Sequence, residues 1–151
     1  MNLLKVIFWS AVPIVEQRGA IPLGIIKYHM NPFVVFIVSL LGSLLPVPFI
    51  LLLFNAIFDW MKKYEIFSGI NKFIEKKLNK NTDKMEKYKE LGLIIFIGIP
   101  LPTTGLWTGS AVAAFLKLDK KKSFICAVIG AIISATLITI LSLTIPAVLG
   151  Y

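Results

Sequence analysis

A chain of 151 residues with 57% hydrophobic residues, 16% charged residues and a mean hydropathy of +0.83 is too apolar for an ordinary water-soluble domain, and its composition is that of an integral membrane protein. One cysteine, Cys126, and one histidine, His29, leave nothing from which to build a disulfide framework, a thiol metal site or a Cys/His catalytic pair, so no metal, cofactor or enzymatic role is expected. The formal charge of +8 sits on lysines gathered in two stretches, which makes it a statement about membrane sidedness and not about nucleic acid, for which no partner role is expected.

The first apolar run, from Leu3 to Val15, is about 20 Å long as a helix against a hydrocarbon core of about 30 Å. A secretion signal is excluded here because Pro13 and Glu16 stand where a small-x-small cleavage site belongs. After Glu16-Gln17-Arg18-Gly19 a second short run, Ala20 to Tyr28, returns to an interfacial end at Lys27-Tyr28-His29. Two half-length helices joined by a polar, glycine-containing turn read as a re-entrant hairpin over residues 3–28, with its turn near the midplane. Residues 32–58 read as the first full span: Pro32 suits a first helical turn, and Pro46 and Pro48 predict a kink in preference to a complete break.

From Asp59 to Glu90 the composition changes. Nine lysines and five acids beyond Asp59 are interleaved with Ile66, Ile70, Phe73, Ile74 and Leu78 at helical spacing, which predicts an amphipathic linker helix on the membrane surface (residues 60–90). Asn81-Thr82-Asp83 interrupts it, and Asp83 with Glu86 has the spacing to cap a second helix running into Leu91. The pattern then repeats: a hairpin over 91–116 with its turn at Pro100-Leu101-Pro102-Thr103-Thr104-Gly105, a basic loop from Lys117 to Lys122, and a second span over 123–149. Small residues at Ala127, Gly130, Ala131, Ser134 and Ala135 give that span a face suited to close helix packing. One hairpin plus one span reverses sidedness, so repeat two (91–151) is expected to be inverted relative to repeat one (1–59). Thirteen lysines lie on the linker and the second loop, against Lys5 and Lys27 opposite, which puts the linker in the cytoplasm and both termini outside it, in a multi-pass protein of the plasma membrane.

The candidate site is the meeting place of the two turns. Glu16 and Arg18 are ionisable groups at membrane depth, where such groups mark function. Helices beginning near Gly19 and Gly105 aim their N-terminal ends at this centre, Arg18 offers a forked donor for phosphate or carboxylate, and Thr103 and Thr104 offer hydroxyls. Two roles are open to Glu16: neutralising Arg18, or taking up and releasing a proton. Pro22 and Pro102 bound the turns, Trp107 reads as a packing anchor more than a ligand cover, and Gly105 with Gly109 as a helix-contact pair.

Glu16-x-Arg18-Gly19-Ala20-Ile21-Pro22 and Pro100-Leu101-Pro102-Thr103-Thr104-Gly105-x-Trp107-Thr108-Gly109 resemble the paired motifs of the small multidrug export proteins, a family similar to the larger DedA/VTT superfamily. The resemblance covers nearly the whole chain. It implies two facing re-entrant hairpins, an acidic residue at Glu16 and, from DedA relatives, ion-coupled transport of polyprenyl-phosphate carriers, with lipid scrambling in remoter relatives. One departure is that DedA proteins carry arginines in the second hairpin and this chain has none there. The leading expectation is a transporter or flippase for an amphipathic anion. The alternatives are a proton-coupled exporter of cationic drugs, with Glu16 as direct ligand, and a non-transporting membrane organiser. Membrane lipids are the expected partners, polyprenyl phosphate among them, and a homodimer or higher oligomer is expected to complete a sheltered path.

Overall fold

The computed structural model of the chain describes residues 2–13, 15–61, 83–101 and 104–149. These residues are helical, with no strand among them: α1 (Asn2–Ala11), α2 (Glu16–Pro22), α3 (Pro32–Leu44), α4 (Val47–Met61), α5 (Asp83–Gly98), α6 (Leu106–Phe115) and α7 (Lys120–Leu149). The body of the expected amphipathic linker helix, with Pro102 and Thr103 of the second turn, lies outside the described residues.

Two helical stretches are long and apolar enough to cross a membrane, residues Pro32–Leu53 and Lys120–Ile145. How their faces are used identifies the solvent. Phe33, Leu41, Phe49, Leu52 and Leu53 on the first stretch and Ile125, Leu137 and Ile140 on the second are exposed, Phe33 to 73%. Ser39, Ser43 and Ser134, by contrast, are fully buried. A protein in water buries its large apolar side chains and exposes its hydroxyls. This distribution is the reverse and suits hydrocarbon on the outside, with small residues letting backbones approach inside. The chain is a membrane protein.

Local chemistry sets the element ends. Pro22 has no N–H to give the ladder, and the helix widens after it into a π-helical turn, Leu23–Lys27, closed by Tyr28 N–H donating to Leu23 O at 3.0 Å. Asn31 then caps α3, its Oδ1 accepting from Phe33 N–H at 2.9 Å, and Pro32 occupies the first turn as expected. At Leu45-Pro46 the first span divides into α3 and α4. Leu45 keeps a right-handed helical backbone and Ile50 N–H bonds Pro46 O at 3.0 Å, so the interruption at the prolines is confined to two residues. The helix expected to run into Leu91 is present as α5, starting at Asp83. Asp119 caps α7 through Oδ1 and Lys122 N–H at 2.9 Å.

These devices recur at a constant spacing along the chain. Each hairpin ends on a non-glycine residue of positive φ, His29 (49°) and Lys117 (52°), and two residues later an Asx side chain caps the long helix. The packing recurs as well. The first arm of each hairpin lies on the long helix that follows it, α1 on α3 and α5 on α7. The second arm also reaches the long helix of the other half, α2 touching α7 and α6 touching α4. Gly42 in α3 and Gly130 in α7 make the first of these contacts close: a Cβ at 42 would stand 3.0 Å from Ile7 O, and one at 130 would stand 2.8 Å from Ile97 Cβ.

The expected packing face of the last helix is filled within the chain. Ala127, Ala131, Ser134 and Ala135, the small-residue face of the last helix, are at most 1% exposed within the single chain. That face packs α7 against its own neighbours and leaves no small-residue seam there for a second copy.

Candidate functional site

The turn of the first hairpin brings Glu16 to the start of α2 with φ at 46°, a left-handed backbone that a carboxylate-bearing residue adopts at a cost of about 1 kcal/mol or more. The side chain leaves its own hairpin. Glu16 Oε1 accepts from Trp107 N–H at 2.9 Å and Oε2 from Leu106 N–H at 3.2 Å, so the carboxylate, 5% exposed, sits on the first two amides of α6. A helix N-terminus carries unsatisfied donors and partial positive charge, and an oxyanion is its natural occupant. Gly105 makes this approach geometrically available: a Cβ there would stand 2.8 Å from Glu16 Cδ. Its backbone is extended, so the requirement is for space and not for unusual torsions.

Arg18 serves the other end of the same break. Its Nη1 donates to Leu101 O, and Nη2 donates to Thr104 Oγ1 at 3.2 Å and lies 3.5 Å from Ile99 O. Thr104 Oγ1 in turn donates to Ile99 O at 2.8 Å. These carbonyls follow the C-terminal end of α5, where partial negative charge favours a cation. The two charges of the first hairpin therefore brace the second hairpin at both sides of its turn, anion on amides and cation on carbonyls. Glu16 and Arg18 take their hydrogen-bond partners from the other half, and no direct ion pair joins them among the described residues. The half-buried Arg18 keeps one buried donor, Nε, without a partner among the described residues.

The brace is reciprocated. Trp107 Nε1 donates to Ala11 O at 3.2 Å, at the C-terminal end of α1, so the second hairpin also satisfies a carbonyl of the first. Gln17, which the sequence reading passed over, is 2% exposed; its Nε2 donates to Ala131 O at 3.0 Å and its Oε1 accepts from Ser43 Oγ at 3.2 Å. The signal was available, because an amide at membrane depth needs partners for the same reason a charge does.

The remaining expected site residues divide. Thr104, Gly105 and Trp107 join Glu16 and Arg18 at one place. Gly19 does not open towards this centre: a Cβ there would meet Val15 Cγ1 at 2.5 Å, so its smallness serves the turn's own packing. Pro22 lies one turn along α2 and shapes the π-helical segment. Gly109 is a helix contact, with a Cβ placed 2.7 Å from Ile97 Cδ1 of α5, whereas Gly105 serves Glu16 instead.

Beside the brace runs an apolar groove of about 370 Å³, lined by Pro46, Phe49, Ile50 and Leu53 near the bend of the first span and by Trp107 and Ala111 of α6. Trp107 belongs to both, donating its backbone N–H to Glu16 and lining the groove. An apolar cleft of this kind suits a molecule with a long apolar part.

No curated protein and no solved structure matches the chain. A family profile does match, over residues 16–137, from the glutamate that opens the first turn to Leu137 in the last helix. That match spans most of the chain and contains both turns, and the chain belongs to the family described as putative small multi-drug export protein.

Proposed function

We propose that the protein transports an amphipathic anion of the lipid-phosphate type, with Glu16 as the proton-carrying occupant of an anion site that the substrate takes in turn. The carrying observation is the carboxylate of Glu16 on the Leu106 and Trp107 amides beside an apolar groove. A site that holds one oxyanion by two backbone donors has the geometry for another. Protonation removes the charge that holds Glu16 there, and a phosphate entering along Trp107 takes the vacated amides. Arg18, with its unpartnered Nε, is the second donor. Its guanidinium reaches the carbonyl and hydroxyl groups of the second hairpin's turn.

In this reading the hairpins are re-entrant and the halves inverted. Ser10, near the first turn, packs beside Gly42, and Ile97, near the second, beside Gly130; both glycines lie well inside the apolar stretches. Leu52, in the later part of the first stretch, and Lys120, at the start of the second, line a common groove, which fits antiparallel spans. The thirteen lysines support a cytoplasmic location for that end.

A second reading, export of lipophilic cations driven by a proton gradient, has the family description and the pairing of a buried carboxylate with Trp107 in its favour. Reconstituted vesicles distinguish the two. Binding and movement of a polyprenyl phosphate and of a lipophilic cation are measured at two pH values for the wild type, Glu16→Gln and Arg18→Gln. Anion transport predicts that Arg18→Gln weakens phosphate binding by tenfold or more, the loss of a charge-assisted contact of about 1.5–3 kcal/mol, and that Glu16→Gln abolishes gradient dependence. Loss of cation binding in Glu16→Gln with Arg18→Gln unaffected establishes the second reading. Unchanged activity in both variants, normally assembled, overturns the site.

A further inference from the structure

Away from the central brace, α4 and α7 leave a second groove between them, about 510 Å³ in volume. Pro48 and Leu52 form one wall, Phe124 and Ile125 the other, and Lys120 and Lys121 complete the lining at the start of α7. Its place along the helices is informative. Lys120 begins the second membrane-length stretch, so the groove opens at the end of α7 that meets the headgroups. Its volume falls within the range of about 300–1,000 Å³ typical of small-molecule sites.

We infer that this groove holds an anionic glycerophospholipid, with an acyl chain along Leu52 and Phe124 and its phosphate between the ammonium groups of Lys120 and Lys121. Charge complementarity carries the choice of occupant. Lys117, Lys120, Lys121 and Lys122 cluster in sequence at this end of α7, and the carboxylates paired with it among the described residues are Asp119 and Glu90. Both carboxylates are engaged locally: Asp119 caps the helix through Lys122 N–H, and Glu90 pairs with Lys122 Nζ at 3.3 Å. Lys120 and Lys121 are exposed and line the groove, and lysine stems can lie along apolar surface while their ammonium heads reach the headgroup layer. A zwitterionic lipid fills the apolar part equally well and gains less at the lysines. The site shares no residue with the Glu16–Arg18 brace, and the inference stands or falls apart from the transport reading.

The test is native mass spectrometry of the full-length protein released from micelles containing equal phosphatidylglycerol and phosphatidylcholine, with melting temperature as the check on folding. The wild type is expected to retain one phosphatidylglycerol per chain in preference to phosphatidylcholine. Lys120→Gln with Lys121→Gln should lower that preference about tenfold, Lys120→Arg with Lys121→Arg should preserve it, and Leu52→Trp should reduce retention of both lipids by filling the cleft. Lys27→Gln, an exposed charge in neither site, should leave the preference unchanged. Equal retention of the two lipids by the wild type, or an undiminished preference in the double glutamine variant, overturns the inference. So does a dimer that Leu52→Trp dissociates without any change in bound lipid, since a second copy would then be the occupant.

Discussion

Gly105→Ala tests the central brace with one carbon atom. The added Cβ would stand 2.8 Å from both Glu16 Cδ and Glu16 Oε1, closer than real Cβ contacts permit, and the buried carboxylate must withdraw. Withdrawal breaks two charge-assisted hydrogen bonds to Leu106 and Trp107 N–H, each worth about 1.5–3 kcal/mol. Partial relaxation of a long side chain recovers some of this, and the expected net destabilisation is about 2–4 kcal/mol. The extended backbone at 105 suits alanine, so torsional strain contributes nothing. The assay is reversible unfolding in mixed micelles, run as a double-mutant cycle with Glu16→Ala. With alanine at 16 the collision disappears and Gly105→Ala should be nearly neutral, giving a coupling energy of about 2–4 kcal/mol. If Gly105→Ala costs the same with either residue at 16, the contact between the hairpins is not what the glycine serves.

Two further outcomes follow from the repeated devices. Asn31→Ala and Asp119→Ala each remove an N-cap from a long helix, and each should cost about 1 kcal/mol in the same unfolding assay; one neutral and one costly variant would show that the two caps are not equivalent. Single cysteines at Asn81 and at Met30, in a Cys126→Ser background, should react with an impermeant reagent from opposite sides of the membrane, position 81 from the cytoplasm. Labelling of both from one side refutes the inverted arrangement.

Much of the helical outline was legible because apolar run lengths, Pro32 and the Pro46-Val47-Pro48 bend act locally. The second hairpin's turn at Pro100 to Gly105 was legible for the same reason. The partners of Glu16 and Arg18 were not, because they lie more than eighty residues along the chain. Adjacency in sequence suggested mutual neutralisation. Side chains at i and i+2 of a helix point away from each other, and that rule alone argues for two separate destinations. The small-residue stripe of α7 was read correctly as a packing face, but which helix fills such a face depends on how the halves fold over one another. Here the chain fills it with its own helices.

The brace constrains any transport cycle. In water, parting the hairpins would hand the Leu106 and Trp107 amides and the Leu101 carbonyl to solvent at little cost. At membrane depth an unsatisfied backbone group costs several kcal/mol, and this centre exposes groups of both polarities at once. If the protein carries an amphipathic anion in exchange for a proton on Glu16, as proposed, a phosphate supplies the acceptor that the amides lack once the carboxylate leaves, and hydrogen-bond satisfaction would link the two ligands. In a drug exporter whose substrate carries positive charge, by contrast, opening would leave those amides without an acceptor, and the Glu16 carboxylate would have to serve substrate and helix together. The two backbone donors on Glu16, more than its charge, are therefore what favours the anion.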